Sequence, residues 1–383
     1  MRVTGSYVIS TTLGENVRAF VPHALPPATP VLDASSYAEL NRTAELSLAR
    51  LQGVAGLVPS IDWLLYSAIR KEALLTSQIE GTQATLIDLF DKEAGLAVSN
   101  TDDVEEVTNY LRAFRWTQDT LRDPKGLPMS VRLIRQAHRL LMDGARGAGR
   151  QPGELRKSQN WIGGTRPGNA VFVPAPPEHV PALLADLESF IHQTDTPDTL
   201  PPLVRIGLVH VQFETIHPFL DGNGRIGRLL IAALMEQWGL LSQPLVYVSA
   251  YLKQHQSEYD QRLSAVRTDG DWEGWVAFFL EGVARAADTA ERGIVALASL
   301  ISTDRRRLLQ APKITPASLR LFELLPLMPI FSIDQVCERL NTTFPTATAA
   351  VKTLEALGIV VEQTGQKKNR HFSYQAYVQL LSS

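Results

Sequence analysis

The sequence has one cysteine, Cys337, in 383 residues. That excludes an intramolecular disulfide and any zinc site built from several thiolates, and it fits a reducing, cytoplasmic home. No uncharged apolar run approaches the ~18–20 residues that a bilayer span needs. The opening MRVTGSYVISTTLGENVRAF lacks the basic-then-apolar signature of a signal peptide, so neither secretion nor membrane insertion is expected. Charge of one sign is also lacking. Lys and Arg number 37 against 40 Asp and Glu, a net −3, so a nucleic-acid or membrane partner would need a local patch. Repeats and low-complexity tracts are absent. What remains is the composition of a globular chain, 45% hydrophobic and 20% charged, long enough for two or three domains.

Residues 1–33 carry scattered prolines and read as an irregular arm with one short strand. From Tyr37 onward, leucines recur at three- and four-residue spacing, the mark of amphipathic helices. Helical stretches follow through IDWLLYSAIRKEALLTSQIEGT and ATLIDLFDKEAG, then 103–144 with a break at PKGLP. Residues 150–178 are rich in Gly and Pro with one β-branched patch at 170–173, which reads as a long loop with a short hairpin arm, a feature usually tied to function. Helices then resume up to a basic, proline-bearing junction at 304–316. Beyond it come three helical stretches and two β-like runs separated by GQKKN, the order of a winged helix-turn-helix. The expected architecture is therefore mainly all-α. It has a helical section at 1–105, a core at 106–303, and a winged helix-turn-helix at 310–383.

The chemistry concentrates in His217-Pro-Phe-Leu-Asp221-Gly222-Asn223-Gly224-Arg225-Ile-Gly227-Arg228. Pro218 stops the preceding helix, the glycines permit a tight loop with positive φ, and a helix restarts at once. A loop feeding a helix N-terminus aims free N–H groups and the positive dipole end at one point, which suits a phosphate. Arg225 and Arg228 can add charge-assisted contacts to phosphate oxygens. Asp221 can hold a magnesium ion, and His217 at the loop entrance suits a general base. Other readings fare worse. The DGN start resembles an EF-hand loop, but the third liganding position would be Arg225. His210, His217 and Asp221 have metal-like spacing, but Pro218 breaks the helix that would align them.

This segment resembles the signature of the Fic (filamentation induced by cyclic AMP) domain family, His-Pro-Phe-x-Asp/Glu-Gly-Asn-Gly-Arg-x-x-Arg, and matches it at every specified position. The resemblance implies a transferase that moves AMP from ATP to a Ser, Thr or Tyr hydroxyl of a target protein, self-modification included. His217 would deprotonate the hydroxyl and Asp221 would bind Mg²⁺. Asn223 with the loop amides would hold the α- and β-phosphates, and Arg225 and Arg228 the β- and γ-phosphates. Thr76-Ser-Gln-Ile-Glu80-Gly81 is similar to the family's inhibitory motif, in which the glutamate pairs with the second motif arginine, here Arg228, and obstructs the γ-phosphate. Read alone, Glu80 is equally a solvated helix-end residue.

The loop NWIGGTRPGNAVFVPAPP resembles the family's flap, where a target segment docks as an added strand, with Gly168, Asn169, Ala170 and Val171 at its tip. Tyr259 aligns with a position that contacts adenine in the family, though the neighbouring aromatic of many relatives is Asp260 here; core packing is the other use for that ring. The winged helix would read DNA through its third helix and its wing, Lys367, Lys368 and Arg370. Yet residues 310–383 hold seven cations and five anions, a mild footprint, so protein partners and homodimer packing stand beside DNA. Removal of AMP with Glu80 orienting a water, and a DNA-binding regulator with a vestigial core, are the rival functions.

Overall fold

A computed structural model describes residues 2–144, 148–193, 200–366 and 368–382. The chain opens with β1 (Gly5–Thr12) and β2 (Glu15–Pro22), then runs through α1 (Ala34–Val54), α2 (Ile61–Ile79), α3 (Leu86–Glu93), α4 (Thr101–Arg122) and α5 (Val131–Leu141). After the loop come α6 (Val180–Ile191), α7 (Pro202–Ile216), α8 (Asn223–Gln237), α9 (Val248–Gln254), α10 (Gln256–Thr268) and α11 (Trp272–Leu309). The C-terminal part is α12 (Pro316–Leu324), β3 (Ile330–Ser332), α13 (Ile333–Leu340), α14 (Phe344–Ala356), β4 (Val361–Glu362), β5 (His371–Ser373) and α15 (Gln375–Ser382). Among the described residues no helix is long and apolar enough to cross a membrane.

The expected mainly helical architecture is what the chain adopts, with two small antiparallel sheets. α7 sits at its centre and is buried from Leu203 to Ile216. A helix apolar nearly all round belongs in a core, so its buried polar residues, among them His210, Gln212 and Glu214, stand out. α11, at 38 residues, runs along α1 and carries Trp275, fully buried with its indole N–H on the Gly207 carbonyl at 2.8 Å.

Three expectations need correcting. The N-terminal arm is a regular hairpin, paired from Gly5↔Pro22 to Thr12↔Glu15. Its prolines fall at or after the end of β2, and Leu13 and Gly14 both have positive φ (49° and 78°), as a two-residue type I′ turn requires. The stretch SAYLKQHQSEYDQRLSAVR at 249–267, which the sequence predicts as one helix, forms two, parted at His255. The junction placed at 304–316 is helical up to Leu309, and the end of α11 is shared with the C-terminal part. Asp304 accepts from the Tyr374 hydroxyl at 2.8 Å and from Arg307 at 2.7 Å, and Arg307 donates to the Leu357 carbonyl.

The C-terminal part has the expected three helices and hairpin. It adds β3, which pairs with β5 beside β4, and the closing helix α15. In the wing, Arg370 lies over the Phe372 ring; Lys367 lies outside the described residues. Cys337, on α13, is half-buried and packs against the core.

Candidate active site

α7 ends at Ile216, and His217 caps it with a left-handed backbone (φ 50°, ψ 62°). The loop closes at Gly222, the N-cap of α8, with φ 76°. A side chain there would strain the backbone and bring a Cβ to 2.9 Å from Met142 Sδ. Gly224, expected in the loop with positive φ, instead lies in the first turn of α8, and its need for glycine is steric. A Cβ on it would come within 2.2 Å of Glu80 Oε1.

Three side chains fix the loop. Asn223 Oδ1 accepts from Phe219 N–H at 2.8 Å while its Nδ2 donates to the Phe219 carbonyl at 2.9 Å. The amide thus braces the loop, with one Nδ2–H beyond that clasp; the resemblance assigns Asn223 to phosphates. His138, on α5, stacks on Phe219 with ring centres 3.8 Å apart. Gly153 N–H donates to its Nδ1 at 2.9 Å, which leaves Nε2–H to donate to the Asp221 carbonyl at 3.0 Å. Arg156, 2% exposed, donates to the carbonyls of His217 (2.8 Å), Ile216 (3.3 Å) and Ala175, and so ties the loop to the base of the flap.

The two motif arginines do not converge on one place as expected. Arg225 pairs with Glu106 at 3.0 Å and reaches Asp221 at 3.5 Å. Arg228 Nη2 meets Glu80 Oε1 at 2.5 Å and the Thr76 carbonyl at 3.1 Å, while its Nε donates to Thr76 Oγ1 at 2.6 Å. Thr76 is buried on the last turn of α2, Glu80 is its C-cap, and Gly81 follows with φ 101°. Glu80 is not a solvated helix end. Its side chain is 39% exposed but held by a guanidinium only 2% exposed.

Burial and charge set the protonation states. Burial pushes the His217 imidazole down to about 4, with Arg156 and Arg267 adding to the effect, so the ring is neutral at pH 7 and its buried Nδ1 has no partner among the described residues. Burial also pushes Glu214, three residues before His217, up to about 7, against the pull of Arg228. Glu72, on the same α2 row as Thr76 and Glu80, is raised to about 7 by burial. At Glu80 burial opposes ionisation, but Arg228 outweighs it and holds the carboxyl below its usual range. One guanidinium thus faces three carboxyls, of which Glu80 is the one held ionised.

Asp221 keeps an exposed side chain (44%) beside Arg225 and accepts from Gly222 N–H at 2.6 Å. Among the described residues no three His, Cys, Asp or Glu side chains gather into a metal site. A cation there would take one protein carboxylate and otherwise phosphate oxygens and water, which fits Mg²⁺, an ion that keeps much of its hydration.

The flap is closed by one bridge, Ile162↔Phe172. Its tip carries a single turn at Pro167–Asn169, where Asn169 Oδ1 accepts from the N–H groups of Thr165 and Arg166 at 3.0 Å each. Gly168 lies against Glu15, which pairs with Arg166, so the hairpin seats the flap. Ala170 is half-buried, and Val171 is 80% exposed. Arg267 lies over Phe172 at 3.9 Å. Tyr259 is 4% exposed, near Trp275, with His210 Nε2 2.7 Å from its hydroxyl. That is the packing use of the ring.

Sequence reasoning missed Glu106, His138, Arg156 and Glu214. Glu214 left a signal, a carboxyl three residues from His217 on an otherwise apolar helix. The other three reach the loop from separate elements.

Residues 38–119 match a family described as Fic/DOC family N-terminal, and residues 128–235 match the Fic/DOC family itself. The chain is 37% identical over 91 residues to the probable protein adenylyltransferase aq_aa38 of Aquifex aeolicus, covering 24% of this chain and 26% of that one. It is 26% identical over 216 residues to the protein adenylyltransferase Fic of Drosophila erecta, covering 55% and 39%. It therefore spans well under half the length of these curated relatives. A Fic family protein from Desulfovibrio desulfuricans G20 superposes with TM-score 0.57 at 21% identity, covering 90% of this chain and 97% of that one. Fic-1 of Caenorhabditis elegans gives 0.52 at 20%, covering 70% and 75%. These two likenesses establish the fold.

Proposed function

The chain belongs to the Fic/DOC family, and from that premise we propose that it is a protein adenylyltransferase held in check by Glu80. The observation that carries the reading is the Arg228 guanidinium at the start of α8. It is bound by Thr76 and Glu80 where a nucleotide's terminal phosphate would otherwise pair with it.

ATP is the substrate, with its phosphates against the N-terminus of α8. Asp221 would hold Mg²⁺, which when bound neutralises phosphate charge. The neutral His217 accepts the proton of a target Ser, Thr or Tyr hydroxyl as that oxygen forms a bond to the α-phosphorus. The bond from the α-phosphorus to the bridging oxygen breaks in line, and diphosphate leaves. His217 works from a rigid position because Arg156 holds its carbonyl, while Asn223 and His138 hold the loop it enters. Asn223 thus acts by shaping the loop, whose backbone amides do the phosphate binding. The exposed edge of the flap at Val171 is where a target segment would lie. Ionised Glu80 competes with the phosphate for Arg228, so the resting enzyme is inhibited.

The test is intact mass after incubating parent and Glu80→Gly protein with ATP and Mg²⁺. A gain of one AMP moiety, larger in the variant, is expected. A phosphate-sized gain would refute adenylyl transfer, and equal labelling of both proteins would refute inhibition by Glu80.

A further inference from the structure

Behind the helix that carries Glu80 lies a cavity of about 210 Å³, well separated along α2 from the loop at His217. α2 contributes Leu64 and Ala68, α9 contributes Tyr251, α11 contributes Ile294 and Leu297, and α15 contributes Leu381. It is therefore a junction between the inhibitory helix, the core and the C-terminal part. Its wall is mostly apolar, and the volume exceeds the roughly 150 Å³ that an apolar cavity needs to admit a benzene ring.

The polar groups of the wall are lopsided in charge. Lys71 and Arg285 line it, and among the described residues no carboxylate does. Arg285 is a largely exposed rim residue paired with Glu281. Lys71 is half-buried one helical turn from Ala68 and has no acidic partner among the described residues. Burial lowers its ammonium pKa with no opposing charge to restore it. A partly desolvated cation beside an apolar void is complementary to an anion that carries an apolar body.

We infer that this cavity binds a small aryl carboxylate, with the ring between α2 and α11 and the carboxylate on Lys71. The occupant bears on the inhibitory helix by geometry. Residues four apart on a helix advance by about 40° per step, so the row Leu64, Ala68, Glu72, Thr76, Glu80 turns from the cavity at one end to Arg228 at the other. A ligand that packs on Leu64 and Ala68 in this seating stabilises it, because it binds the docked helix better than a displaced one. Its effect on catalysis rests on the adenylyltransferase reading; its binding does not.

The experiment is calorimetric titration of phenylacetate into the full chain without nucleotide, so that its failure is separate from any failure of AMP transfer. Saturable binding at one site is expected. Binding should weaken roughly ten- to hundredfold in Lys71→Met, the loss expected of one charge-assisted contact, and vanish in Ala290→Phe, which fills the cavity. On the unaltered protein, 2-phenylethanol should bind more weakly by a similar factor, a comparison that needs no variant to fold. Amide exchange across residues 61–79 should slow at saturation. Absence of binding to the parent, or equal affinity for the acid and the alcohol, would overturn the site; binding with unchanged exchange would overturn its link to α2.

Discussion

Arg228 holds Glu80 at 2.5 Å across 148 residues of chain, and the same guanidinium takes both the hydroxyl and the carbonyl of Thr76. The contact proposed to inhibit is thus a three-point grip in which the carboxylate is one part. Thr76→Val keeps the shape and removes the acceptor for Arg228 Nε, leaving a buried donor unpaired at a cost of about 1–3 kcal/mol. Self-modification, measured by intact mass, should rise, but less than in Glu80→Gly. Adding Arg228→Ala to Glu80→Gly should cancel the gain, because the freed guanidinium is what the change supplies to the phosphate. A double variant as active as Glu80→Gly would refute this account.

How much of this was legible in the sequence divides by distance along the chain. The loop from His217 to Arg228 announced itself through Pro218 and Gly222, because those residues dictate local backbone. Thr76 and Glu80 were legible as a spaced pair and the resemblance implied that Glu80 pairs with Arg228, but the two bonds from Arg228 to Thr76 emerge only through packing of α2 on α8. Glu106, which takes Arg225, and His138, which supports Asp221, left no trace, since nothing in local spacing records which helix faces which. Asn223 and Tyr259 were the ambiguous positions. Their residue types suit ligands equally well, and only the fold shows Asn223 clasping Phe219 and Tyr259 packed beside His210.

The depressed pKa of His217 makes a prediction about rate. A general base must be neutral, and this one remains neutral until the pH falls towards about 4 rather than the ordinary 6.5. In a Glu80→Gly background, kcat/KM should therefore hold level from neutral pH downward and fall only near pH 4, while His217→Ala should abolish transfer with ATP binding nearly intact. An acid limb near 6.5 would show that the ring is not desolvated as described. A limb near 7 that disappears in Glu214→Gln would belong to Glu214.

Glu214 has the opposite linkage. Its folded pKa of about 7 lies above the ordinary 4.5, so the folded state binds the proton more tightly than the unfolded chain. The stability it contributes is complete below pH 4.5 and is lost as the pH rises through 7. Glutamine cannot ionise and escapes that loss. The Tm of Glu214→Gln relative to the parent should increase between about pH 5 and 7.5 and then level off. A difference that does not change with pH would mean that Glu214 titrates normally.

Arg156 joins stability to protonation in one residue. It is 2% exposed and donates to four main-chain carbonyls, those of Ser158, Ala175, Ile216 and His217, while burial draws its own pKa down to about 10. Arg156→Met leaves those carbonyls unpaired and should cost roughly 3 kcal/mol or more. It also removes the first of the charges that depress His217, so the acid limb of kcat/KM should move up from about 4. Arg156→Lys separates the two effects, because a lysine restores the positive charge but not the planar fork that spans four acceptors. Its limb should return towards the parent's while its Tm stays low. If the limb is unmoved in Arg156→Met, burial alone sets the state of His217, and Arg156 serves only to anchor the loop.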